Sequence, residues 1–310
     1  MNKSIALKEN NSIIASKNIF INRFVKFLDV APLTVQAYTS GLKQFFTYLA
    51  SNGIKQPDRN SIIEFKKYLT ENNRKNSTIA LYLSGLKRFF AFLENEGLYS
   101  NITIGVKAPK IDRGHKKDAF SGEQIKQVMT GINTSTLEGL RNFALIGLIT
   151  TAGLRTIEIV RANVEDLRLN AGQPVLFVQG KGRADKGEFV HVTPKVLKAI
   201  TAYLRARGNV AGDAPLFASC SHRNRGGRLT TRTVSSVCKK AMEVVGYISA
   251  RLTAHSLRHT AITLALLGGQ SIQEVCSFAR HSNIATTMVY AHDVNRLQSK
   301  CESLIESAIF

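Results

Sequence analysis

At 310 residues the chain exceeds what one hydrophobic core usually organises, and with 44% hydrophobic residues two folded domains are expected rather than a disordered polymer. Its 42 Lys and Arg against 22 Asp and Glu give a formal charge of +20 and an isoelectric point of about 10.0, a field that draws in polyanions; nucleic acid is the leading partner, although charge alone names no reaction. Four scattered cysteines, Cys220, Cys238, Cys276 and Cys301, form no CxxC pair and argue against a zinc knuckle or disulfide framework, and no apolar run nears the roughly 20 residues that span a bilayer, so a soluble cytoplasmic protein is expected.

Residues 1–11 are polar and mixed in charge, without the apolar stretch of a secretory leader. Helical periodicity begins at 14–28 and returns at 61–69. Between and after these runs an internal echo stands out: Ser40-Gly41-Leu42-Lys43-Gln44-Phe45-Phe46-Thr47-Tyr48-Leu49 is matched by Ser84-Gly85-Leu86-Lys87-Arg88-Phe89-Phe90-Ala91-Phe92-Leu93. In each copy the apolar residues fall at i, i+3, i+4 and i+7, one face of a helix. Thr34 and Ser77 stand as candidate N-caps, and Gly53 and Gly97 as C-terminal stops. A bundle of four or five helices over residues 1–106 is predicted, with the Phe stripes as core rather than base-stacking surface. Lys43, Lys66, Lys67, Arg74, Lys75, Lys87 and Arg88 remain for solvent or for a phosphate backbone.

Residues 107–118, basic, proline-containing and aperiodic, read as a linker to a second domain at 119–310. That domain opens with helical patterns at 121–130 and 137–151. Two β-like runs, Val175-Leu176-Phe177-Val178 and Glu188-Phe189-Val190-His191-Val192, flank a glycine-rich basic turn containing Gly180-Lys181-Gly182. Helical segments then continue to the C-terminus, making a mostly α protein (α+β) with a small antiparallel sheet. Before the hairpin lies Thr151-Ala152-Gly153-Leu154-Arg155-Thr156-Ile157-Glu158-Ile159, where Glu158 is placed to orient Arg155 from one turn away. After it come His255-Ser256-Leu257-Arg258-His259-Thr260 and Arg280-His281-Ser282-Asn283, with Tyr290 nine residues past His281. Two arginines, histidines and a tyrosine on a basic protein suit attack on a phosphodiester. The i, i+4 pair His255 and His259 lacks the glutamate a zinc helix places after its first histidine, since Ser256 stands there.

On these motifs the chain resembles the tyrosine recombinases, the family of phage integrases and Xer-type site-specific recombinases. The resemblance implies an N-terminal SAM-like helical core-binding domain and a mainly helical catalytic domain, with double-stranded DNA as substrate and no cofactor or metal. Arg155 and Arg258 would clamp the phosphate, and His255 would manage a proton. His281 would donate to the scissile phosphate, and Tyr290 would be the nucleophile that forms a 3′-phosphotyrosyl bond. Lys181, with Lys186 as runner-up, would protonate the departing 5′-oxygen. Conserved bond energy would allow rejoining without ATP, in a tetramer on paired sites, for integration and excision or for multimer resolution. A type IB topoisomerase or a noncatalytic DNA-binding relative is the alternative. One departure stands out: the family usually has leucine-glycine before the late histidine, and here Phe278-Ala279-Arg280 precede His281, altering the turn or adding a phosphate contact. The apolar residues of 293–310 fit a tail helix, exchanged with a neighbouring protomer by resemblance or else folded back on its own domain.

Overall fold

The computed structural model describes residues 13–14, 16–111, 118–180, 182–183 and 185–310. The polar start at 1–11, residues 112–117 of the basic connection and Lys181 lie outside the described residues. The chain forms two compact units, Met1–Arg113 and Gly114–Phe310. Among the described residues no helix is long and apolar enough to cross a membrane.

The first unit is helical: α1 (Lys17–Phe27), α2 (Pro32–Ser51), α3 (Arg59–Glu71) and α4 (Asn76–Asn95). The repeated sequence lies on α2 and α4, which pack along each other, and the two copies meet reciprocally. Phe45 sets its ring edge-on to Phe90 at 6.1 Å, and Phe46 does the same to Phe89 at 6.0 Å. All four rings are at most 2% exposed, so the Phe stripes are core. The glycines explain how the helices come so near. A Cβ on Gly41 would lie 3.0 Å from Tyr82 Cα, and one on Gly85 would lie 3.0 Å from Tyr38 Cα. Backbone cannot retreat as a flexible side chain can, so Gly85→Ala is expected to cost about 1–3 kcal/mol by overpacking. Thermal unfolding measures this; an unchanged melting temperature would show that the crossing is looser than described.

Both copies end alike. Gly53 and Gly97 sit at φ 65°, and the next N–H, Ile54 or Leu98, turns back to the carbonyl of Leu49 (3.0 Å) or Leu93 (2.8 Å). The starts differ from the predicted caps. Helix α2 begins earlier because Pro32 occupies its first turn, where a fixed φ helps and a missing N–H costs nothing, with Ala31 as N-cap in place of Thr34. Helix α4 starts at Asn76 with Lys75 as N-cap, not Ser77. The chain after α4 returns over the bundle, where Tyr99 Oη donates to the Pro57 carbonyl (2.6 Å) and Asn76 Nδ2 to the Lys110 carbonyl (2.8 Å).

The second unit is built around α6 (Leu137–Ala152), whose Ala144, Leu145, Ile146, Leu148 and Ile149 are fully buried. It follows α5 (Gly122–Thr130), started by a Ser121 and Gln124 capping box, and precedes the short α7 (Thr156–Arg161). The antiparallel sheet has three strands, β1 (Leu167–Asn170), β2 (Gln173–Val178) and β3 (Glu188–His191), in that order. Strand β1 goes beyond the two predicted runs. It is four residues long and mostly exposed, and its turn runs through Ala171 at φ 48° and Gly172 at φ 77°, so neither alternation nor the turn dipeptide announces it. The remaining helices are α8 (Pro194–Arg207), α9 (Thr231–Val244), α10 (Ala254–Leu267), α11 (Ile272–Ala279), α12 (Ile284–Gln298) and α13 (Cys301–Ile309).

Candidate active site

Helix α6 stops because Gly153 takes a left-handed conformation (φ 58°) that a side chain would resist. The chain then bends so that Arg155 becomes the N-cap of α7. One turn on, Glu158 reaches back: Arg155 donates its backbone N–H to Oε2 (2.8 Å) and its Nη1 to Oε1 (2.9 Å). Glu158 is fully buried. Burial alone would raise its carboxyl, yet the Arg280 charge and the bonds from Arg155 and Arg280 hold it below the usual carboxylate range.

Arg258, on α10, is 3% exposed and crosses to two turns at once, donating Nη1 to the Gly153 carbonyl and Nη2 to the Ala279 carbonyl. Burial, then Arg155 and Arg280, push its guanidinium down to about 9, so it remains a cation at neutral pH. Arg280 itself ends α11 in the left-handed region (φ 53°, ψ 48°), the conformation a glycine would take there. Its side chain, 6% exposed, turns inward to Glu158 Oε2 (2.8 Å), the Gly153 carbonyl (3.1 Å) and the Phe278 carbonyl (2.8 Å). Its own carbonyl accepts from Arg155 Nη2 at 2.9 Å. The departure from the family pattern therefore leaves the turn intact and adds a buried cation.

The left-handed turn carries the chain to His281, whose Nδ1 is 2.9 Å from Thr287 Oγ1. Burial, followed by Arg258, Arg155 and Arg280, pushes the imidazole down to about 4, so it is neutral at physiological pH. Tyr290 lies in α12 at 7% exposure. Its ring is 5.0 Å from that of His259 and 6.2 Å from that of His281. Burial raises its phenol to about 12, against the pull of Arg258 and Arg155. His255 is exposed at the start of α10, with its ring edge-on to His259 at 5.4 Å.

Arg155, Arg258, His281 and Tyr290 thus converge from four separate segments, and His255 approaches through His259. Arg155, Arg280 and His281 line a cavity of about 610 Å³ together with Gly180, Arg183 and Glu188 of the β2–β3 hairpin. Lys181, next to Gly180, is not among the described residues. Its runner-up Lys186 has its ammonium on Asp166 Oδ2 at 2.6 Å, an ion pair with the residue just before β1. Among the described residues no three His, Cys, Asp or Glu side chains gather as a metal cluster.

Two contacts were not legible in the sequence. Thr287 is fully buried against His281, and nothing in local periodicity marks it. His259 draws attention only as an i+4 partner of His255, whereas in the fold its ring lies against Tyr290.

Known proteins carry the same arrangement of domains. The phage integrase family matches residues 119–296, and the phage integrase N-terminal SAM-like domain matches residues 21–97. Tyrosine recombinase XerC of Herpetosiphon aurantiacus is 30% identical over 271 residues, covering 84% of this chain and 85% of its own. Tyrosine recombinase XerD of Listeria monocytogenes is 27% identical over 298 residues, covering 91% and 96%. Among solved structures, XerH recombinase in a post-cleavage complex with its palindromic difH substrate superposes with a TM-score of 0.79 at 18% identity, covering 97% of this chain and 99% of that one. A lambda integrase tetramer on a Holliday junction gives 0.67 at 15% identity, covering 88% and 76%. With the family matched across more than half of its length and both units accounted for, the chain belongs to the phage integrase family of tyrosine recombinases, enzymes that cleave and rejoin DNA.

Proposed function

We propose that Tyr290 attacks the scissile phosphate of a specific DNA site, forming a 3′-phosphotyrosyl bond and releasing a 5′-hydroxyl. The observation that carries this reading is the meeting of Arg155, Arg258, His281 and Tyr290 in one partly buried cluster. A guanidinium has five N–H donors, and Arg155 and Arg258 each commit two to the protein, which fixes the fork and leaves the others for nonbridging oxygens. His281, neutral and held through Nδ1, presents its other ring nitrogen. His255 takes the phenolic proton, with His259 ring-to-ring between it and Tyr290. Lys181 protonates the leaving 5′-oxygen. Resealing reverses these transfers, since the phosphotyrosyl ester conserves the bond energy.

In this reading residues 1–106 are the core-binding domain, residues 107–118 the linker and residues 119–310 the catalytic domain with its tail. The protein works as a tetramer on paired sites, integrating or excising an element or resolving multimers. Helix α13 supports an exchanged tail: none of its residues is buried, and Leu304, Ile305 and Ile309 are 58–69% exposed. Recovering and sequencing covalent adducts from cells that make the protein tests the function. A short dyad-symmetric site is expected, and its position, at an element boundary or at a replicon resolution site, identifies the task. Cuts dispersed without a common sequence would favour a topoisomerase-like reading instead.

A further inference from the structure

The Arg280 side chain joins three segments that the reaction needs in register. Its guanidinium reaches Glu158 Oε2 and the Gly153 carbonyl, and its carbonyl holds Arg155 Nη2. Arg155 is thereby gripped twice from the end of α11: directly by the Arg280 carbonyl, and through Glu158, whose second oxygen accepts Arg155 Nη1. Gly153 is shared as well, because Arg258 donates to the same carbonyl. Two guanidiniums, Arg155 and Arg280, therefore pair with one fully buried carboxylate, and a third, Arg258, meets Arg280 at the Gly153 carbonyl. Physical considerations make this placement expensive. A left-handed conformation is unfavourable for arginine, and Arg280 Nε is buried with no hydrogen-bond partner. Glycine would avoid both costs, so the side chain must return something through its contacts.

We propose that Arg280 is a positioning residue, which locks Glu158, and through it the phosphate-binding fork of Arg155, to the turn that carries His281. Because its donors point at protein carbonyls and a carboxylate, it orders the groups around the scissile phosphate rather than anchoring the duplex. The inference rests on the assignment of Arg155 and Tyr290 to the reaction. Its charge also bears on His281, whose imidazole is depressed by burial and by Arg258, Arg155 and Arg280 together.

The test compares wild type with Arg280→Gly, which suits the left-handed turn, and Arg280→Lys, which keeps the charge. The readouts are single-turnover cleavage of a nicked suicide duplex, duplex affinity and melting temperature. Arg280→Gly is expected to cut at least about 10-fold more slowly with duplex affinity within about 3-fold of wild type, and Arg280→Lys to recover part of the loss. Combining Arg280→Gly with Glu158→Gln should cost little more than the worse single change, since both break one link. The His281 titration, followed by NMR, should move up from about 4 in Arg280→Gly. Cleavage by Arg280→Gly within 2-fold of wild type, or losses that multiply in the double variant, would overturn the proposal. An equal fall in duplex affinity would make Arg280 a DNA anchor. Tyr290→Phe run beside these separates the two readings: an adduct that persists there removes the site assignment itself, whereas its loss beside normal Arg280 variants removes only this inference.

Discussion

Tyr290→Phe is expected to abolish the covalent adduct on a nicked suicide duplex, lowering cleavage by at least about 10⁴-fold, because the proposed attacking oxygen is the one atom removed. The ring itself survives in the variant, so the packing against His259 and His281 remains, and stability changes little. This separation is what makes the experiment informative. Gel-shift affinity should stay near wild type, since duplex binding draws on many phosphate contacts across a chain of charge +20. An adduct formed by the variant would transfer the nucleophile to another residue. The phenol's rise to about 12 adds a further expectation about why a cut needs the assembled site: alone, Tyr290 is protonated at neutral pH, and attack requires its proton to leave as the phosphate arrives.

Arg258→Ala comes next in size. In the proposed reaction Arg258 faces the developing phosphorane charge, so removing this buried, preorganised cation is expected to slow cleavage by about 10²–10³-fold. Duplex affinity should fall less than about 10-fold, because one phosphate contact among many is lost. Arg258 also donates to the carbonyls of Gly153 and Ala279; Gly153 keeps its bond from Arg280, while leaving the buried Ala279 carbonyl without this donor costs roughly 1–3 kcal/mol. A melting curve is therefore part of the measurement. Arg258→Lys keeps a positive charge but cannot bridge both carbonyls and still offer a planar fork, so it should fold better than the alanine variant and remain slow. Parallel losses of cleavage and binding would recast Arg258 as a DNA anchor.

Much of the fold was legible in the chain. The Ser-Gly-Leu-Lys echo gave the two long helices of the first unit, because an i, i+3, i+4, i+7 stripe of Leu and Phe has only one good solution in water. The left-handed Gly53 and Gly97 were equally readable as helix ends. Strand β1 was not, since a short, exposed strand leaves no alternation to detect. The start of α2 differed because Pro32 determines its first turn through backbone geometry, ahead of a nearby threonine's capping ability.

The sequence by itself determined the residue types and their order: a +20 chain, a repeat-built helical unit, and Arg155, His255, Arg258, His281 and Tyr290 in motifs that name the family. It could do so because helical periodicity and motif spacing are local properties. Only the tertiary structure decided how those residues bear on one another. Glu158 meets Arg280 across 122 positions of chain, and Arg258 meets Gly153 across 105. Whether Arg280 faced a phosphate or a buried carboxylate depended on which backbone lay beside the end of α11, and the packing of α6, α10 and α11 sets that distance, not any spacing in the sequence.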